Sequence, residues 1–163
     1  MTASQRRAEL TAEIASRTGI DTAMIERLVH SFYARVRQDP MLGPVFEERI
    51  ADWDSHLNNM CAFWSSVALM TGVYHGRPMQ KHLPLPVDGR HFDRWLALFG
   101  ETAGEVCPPA AAEHFVERAR RIASSLELGI ACANNVLLGK DERLRRPDAE
   151  VFVPDAEVAS VAP

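Results

Sequence analysis

The apolar residues of this chain recur at steps of three and four and nowhere alternate. One set is Ile25, Leu28, Val29, Phe32 and Val36, and a second is Trp53, Leu57, Met60, Phe63, Trp64 and Val67. A third is Phe92, Trp95, Leu96, Phe99 and Val106, and a fourth is Phe115, Ala119, Ile122, Leu126 and Ile130. Each set marks one face of an α-helix. With no half-buried strand to build a sheet from, the expected fold is all-α. A chain of 163 residues suits a single domain. At that size folding buries about 70% of the unfolded surface, enough for a real core.

Turn and cap residues divide these faces into separate helices. Asp21, Asp52 and Asp88 stand where side chains cap helix N-termini. Pro40 ends the first strong helix near Gln38, and Pro44 suits the first position of a short one that turns Phe46 and Ile50 inward. Gly72 is expected to close the helix that begins after Asp52. Pro78 can start one brief turn, and no helix crosses the run His82-Leu83-Pro84-Leu85-Pro86. Pro108-Pro109 stops the next helix, and Pro109 begins a last one that fades between Gly129 and Gly139. Before these, residues 3–16 are weakly periodic and suit a short helix ending near Gly19. After them, residues 139–163 have no period and read as a mobile tail whose removal should leave the domain intact.

Charge and composition exclude several classes of function. The net charge is −4, which provides no basic face for duplex nucleic acid or an anionic membrane. The longest apolar stretch, 60–69, is broken by Ser65 and Ser66 and is too short to span a bilayer. The first ten residues lack the apolar core of a signal peptide. Cys61, Cys107 and Cys132 are odd in number and lack CxxC spacing, so reduced thiols in a cytoplasm are expected. No Glu-x-x-His pair, HExxH, Gly-rich phosphate loop or nucleophile motif is present.

Four polar tips on apolar faces carry the remaining signal. His56 lies three residues after Trp53 and four before Met60, at the edge of one face. Tyr33 adjoins Phe32, Trp95 lies within another face, and His82 ends the proline-limited turn. Groups of this kind converging from separate elements make a polar spot in an apolar cavity, as cofactor sites require. Taken singly, each has a blander reading: an edge histidine is usually solvated, and Trp53, Trp64 and Trp95 are ordinary core residues. His30, His75, His91 and His114 read as surface or boundary residues, and Arg118, Arg120 and Arg121 as a solvated helix face. On the bland reading the chain is a helical interaction module without cofactor.

Several motifs in order resemble the group III truncated haemoglobins. They are Phe32-Tyr33-Ala34-Arg35-Val36-Arg37, Leu42-Gly43-Pro44-Val45-Phe46, Trp53-Asp54-Ser55-His56 and Phe63-Trp64. Further on come Tyr74-His75-Gly76-Arg77-Pro78, Lys81-His82-Leu83-Pro84-Leu85-Pro86 and Phe92-Asp93-Arg94-Trp95-Leu96-Ala97-Leu98-Phe99. The resemblance implies a truncated globin fold packed around one haem b. It implies a globin domain over 21–138, after an N-terminal extension with a short helix at 1–20 and before the tail at 139–163. His82 then matches the proximal iron ligand. Tyr33, His56 and Trp95 match the distal polar residues, with Met60 as their apolar neighbour. Phe32, Phe46, Phe63, Leu85, Phe92 and Phe99 would line the haem or the core beside it, and Arg77 and Arg90 would meet the haem propionates. The implied activity is binding of O2, CO or NO, with nitric-oxide detoxification or peroxidase-like chemistry as further uses. Turnover would call for electrons from a partner reductase.

Overall fold

A computed structural model describes residues 1–149. Among the described residues there are seven helices and no strands: α1 (Ala3–Thr18), α2 (Thr22–Gln38), α3 (Leu42–Arg49), α4 (Trp53–Leu69), α5 (Pro78–His82), α6 (Gly89–Val106) and α7 (Pro109–Ala133). The three expected aspartate caps are in place. Asp21, Asp52 and Asp88 accept hydrogen bonds from the backbone N–H groups of Met24, Ser55 and Arg90. Each removes one orphan donor from a helix start. α4 ends differently from expectation. Met70, not Gly72, takes the first left-handed conformation, at φ 59°, and its N–H bonds to the Ser66 carbonyl.

The main core lies where α2, α4, α6 and α7 meet, and Leu28, Phe32, Trp64, Phe99 and Phe115 fill it. The segment before residue 21 belongs to this core. α1 runs 16 residues, Ile14 and Ile20 are buried, and the Thr11 hydroxyl donates to the Leu69 carbonyl at 2.6 Å. Buried Asp39 fastens the far end of α2. One of its oxygens accepts from the Leu42 N–H at 2.9 Å and the other from Arg94 Nε at 2.7 Å. α3 is thereby held between α2 and α6, with Phe46 facing Tyr33.

A second, smaller core lies under the loop after α5. Val87, Phe92, Leu126, Ile130 and Leu144 form it, with Met79 and Leu85 packed against them. Leu144 corrects the expectation of a free tail from residue 139. It is fully buried, and Arg143 and Arg146 on either side of it bond to Glu127 and Asp88. An isolated leucine gives no helical period, so the pattern that located the helices could not reveal it. The remainder of the expected tail, 150–163, lies outside the described residues.

Asp88 is the polar centre of this region. It is fully buried and also receives the Arg90 guanidinium, with Nη2 at 2.6 Å. His91, expected near the surface, is instead 3% exposed, and its Nδ1 accepts the Asp88 N–H at 3.1 Å. Burial works against a charged Asp88, but bonds from the Arg90 side chain and from the Arg146 and Arg90 backbone outweigh it and hold the carboxyl at about 2. Asp88→Asn should therefore cost about 2 kcal/mol of stability at pH 7. Because the native value is depressed below the unfolded one, this contribution is complete above about pH 4 and lost as pH falls through about 2. Denaturant curves of the two chains should converge over that interval.

Candidate functional site

His82 is the last residue of α5, a helix of five residues begun by Pro78. Its Nδ1 lies 2.6 Å from the Pro78 carbonyl oxygen. A carbonyl can only accept, so Nδ1 carries the proton and the lone pair of a neutral ring resides on Nε2. Burial lowers the His82 pKa, with Lys81 adding to the effect and the bond to Pro78 opposing it. The result is an oriented, neutral imidazole, the form in which histidine binds metals.

The other polar residues gather on α2, α4 and α6. Tyr33 is buried, and its ring meets the His56 ring edge-on with centroids 5.0 Å apart. Phe32 bridges from Tyr33 to Trp95, with centroid separations of 5.1 and 5.6 Å. Trp95 stacks on Phe99 at 10°, which fixes the indole plane. Burial raises the Tyr33 pKa, so its hydroxyl keeps its proton at neutral pH. His56 is pushed the other way, first by burial and then by the positive charge of Lys81 on α5. His56 is thus neutral near pH 7 and close enough to α5 to sense it.

Two polar atoms in this region are buried and without a hydrogen-bond partner: His56 Nε2 and Trp53 Nε1. Such atoms cost about 1–3 kcal/mol each and call for an explanation. Trp53 is the site residue that sequence reasoning left among the core. Its ring lies 5.5 Å from His56 and 6.1 Å from Tyr33, and the Arg37 guanidinium covers it at 4.4 Å. The available signal was its position one helical turn before His56.

The expected apolar neighbours divide into two groups. Phe32 and Phe99 are 1% exposed and belong to the main core, and Phe92 belongs to the smaller one. Phe46, Met60, Phe63 and Leu85 are only half-buried, as are Trp95 and His82. Phe46 meets the orphaned His56 ring with centroids 6.5 Å apart, and half-covered apolar side chains of this kind suit the lining of an apolar group. Of the two arginines, Arg77 is exposed at the start of α5, whereas Arg90 is partly exposed and donates from Nε and Nη2 to Asp88. Among the described residues no group of His, Cys, Asp and Glu forms a metal site of its own. No described helix is long and apolar enough to cross a membrane.

The Bacterial-like globin family model matches residues 17–127. The chain belongs to that family. Within it, the chain is a truncated haemoglobin of the group III type. It is 34% identical over 113 residues to the Group 3 truncated hemoglobin ctb of Campylobacter jejuni, covering 66% of this chain and 89% of that one. A crystal structure of the group III truncated hemoglobin from the same organism superposes with a TM-score of 0.63 over the same shares of the two chains. Group 2 truncated hemoglobin YjbI of Bacillus subtilis is 26% identical over 89 residues, covering 53% of this chain and 67% of its own length. Membership makes this a haem-based protein that binds small diatomic ligands. The oriented His82, the unpartnered His56 Nε2 and the half-covered apolar lining fit that cofactor.

Proposed function

We propose that the chain binds oxygen and related diatomic ligands at a haem b ligated by His82 Nε2. The observation that carries this reading is the 2.6 Å bond from His82 Nδ1 to the Pro78 carbonyl, which leaves Nε2 as the metal-binding atom. When bound, haem supplies a ferrous iron with one open position for a diatomic molecule. The protein's own contribution is made on the other side of the pocket. Tyr33 and Trp95 each bring one hydrogen-bond donor that stays protonated at neutral pH. Met60 and Phe46, packed against the main core, exclude water there and keep the local dielectric low, which strengthens those bonds. Arg77 is the cation available for haem carboxylates.

A second reading, peroxidase-like or nitric-oxide-detoxifying turnover, is favoured by one observation. His56 Nε2 is buried, unpartnered and on a ring kept neutral, so it can accept a proton and return it. Such turnover would draw electrons from a separate reductase. The cysteines, none of them in a disulfide, suit a reducing compartment such as the cytoplasm.

Titration of the purified chain with haemin tests the primary reading. The Soret absorbance should saturate at one haem per chain, and the reduced form should change spectrum reversibly between argon and air. A chain that never saturates is the cofactor-free helical module instead.

A further inference from the structure

The element that carries His82 cannot hold itself in place. A five-residue helix is far below the length at which helices persist alone, and none of its residues is fully buried. The backbone that follows it, 83–88, is fastened to a segment beyond the globin match, which ends at residue 127. Leu85 connects the two sides. Its N–H donates to the His82 carbonyl at 3.0 Å, and its own carbonyl accepts from Arg146 Nη1 at 2.9 Å. Two residues further, the Val87 side chain shares the smaller core with Leu144. At the start of α6, the Gly89 N–H donates to the Leu144 carbonyl at 2.9 Å, and the Arg146 N–H donates to Asp88 at 3.1 Å. A side chain at Gly89 would crowd both the Leu144 carbonyl and the Arg143 guanidinium at 3.1 Å, so glycine permits the close approach. Arg143 secures the segment to α6 and α7 through Asp93 at 2.7 Å, Glu127 at 2.8 Å and the Gly89 carbonyl at 3.0 Å.

We propose that residues 136–149 form a strap across the proximal side, with Arg146 and Leu144 as positioning residues that fix the backbone on which His82 is held. Val136 and Leu138 add apolar contact to the same core as Leu144. The proposal rests on the proximal role given to His82. It adds that the orientation of that imidazole is set from outside the matched globin region. Loss of the strap frees the Leu85 carbonyl and lets the His82 ring tilt about its bond to Pro78.

Arg146→Ala in the full chain is the decisive variant, because it removes the bond to Leu85 while leaving Leu144 and the smaller core in place. In the haem-free protein, amide exchange at Leu85 and Gly89 should quicken by roughly 10-fold, the equivalent of one lost hydrogen bond, while exchange in α1 stays as it was. In the haem-loaded ferrous protein, the iron–histidine stretching band in the resonance Raman spectrum should shift or broaden, and Arg146→Lys, which retains a donor, should restore it. An unchanged band overturns the proposal, whether or not exchange quickens, because Arg146 would then be stabilising without positioning. His82→Ala, measured alongside, separates the two ideas. A band that survives His82→Ala refutes the proximal reading, whereas one lost in His82→Ala and unmoved in Arg146→Ala refutes the strap alone.

Discussion

Replacing His82 by alanine should release haem from this protein, lowering its retention by more than about 100-fold. The expectation exceeds the 10- to 100-fold usual for loss of an outer-shell partner, because here the metal-binding atom itself is removed. Four of the other five imidazoles are poorly placed to substitute. His30 and His75 are exposed, His91 is committed to the start of α6, and His114 Nε2 lies 2.8 Å from the Ala68 carbonyl. His56 belongs to α4, beside Tyr33 and Trp53. The variant should still fold, since His82 lies outside both cores and its helix contributes little to them. Added imidazole should enter the vacated space and restore a histidine-like spectrum. The check is the rate of haem transfer to an acceptor protein, with and without imidazole. A rate unchanged from the parent chain would assign the ligand to another residue.

Much of this was legible in the sequence because it is local. Aspartate caps, prolines and apolar periods act within one or two turns, so the ends of α2, α5 and α6 fall where Asp21, Pro78 and Asp88 put them. The polar site residues were legible for a related reason: Tyr33, His56 and Trp95 interrupt faces that are otherwise apolar. What escaped depends on contacts distant in the chain. α1 docks through Thr11 and Leu69, 58 positions apart, and no local pattern encodes that. The bond from Arg90 to Asp88 escaped because Asp88 was already assigned to capping; the same carboxylate does both. Leu144 is one apolar residue among arginines, and its own backbone bonds to Glu127 and Gly89, with its neighbours' bonds to Glu127 and Asp88, bring it into the core.

Oxygen retention should depend on Tyr33 and Trp95 together. The two residues flank Phe32 on different helices, Tyr33 on α2 and Trp95 on α6, so each is held by packing that the other does not supply. Tyr33→Phe removes one hydroxyl and Trp95→Phe one indole N–H, while most of the apolar volume remains. A hydrogen bond to the ligand in so dry a site contributes about 1.4 kcal/mol, or 10-fold in dissociation rate. Both donors pack on Phe32 and would serve one ligand, so their effects are coupled, and the double variant should lose oxygen more than about 10-fold faster than the parent chain. Carbon monoxide collects less charge on its outer atom and should leave at nearly the parent rate. His56 is a different case: its ring packs against Tyr33, Phe46 and Trp53, and His56→Leu should change ligand entry more than escape. The central claim is that this chain retains oxygen in an apolar pocket by hydrogen bonds from Tyr33 and Trp95. Stopped-flow measurement of oxygen dissociation from the haem-loaded ferrous double variant tests it most directly. An increase of more than about 10-fold over the parent chain, with carbon monoxide little changed, is the predicted result; an oxygen dissociation rate equal to the parent's would contradict it.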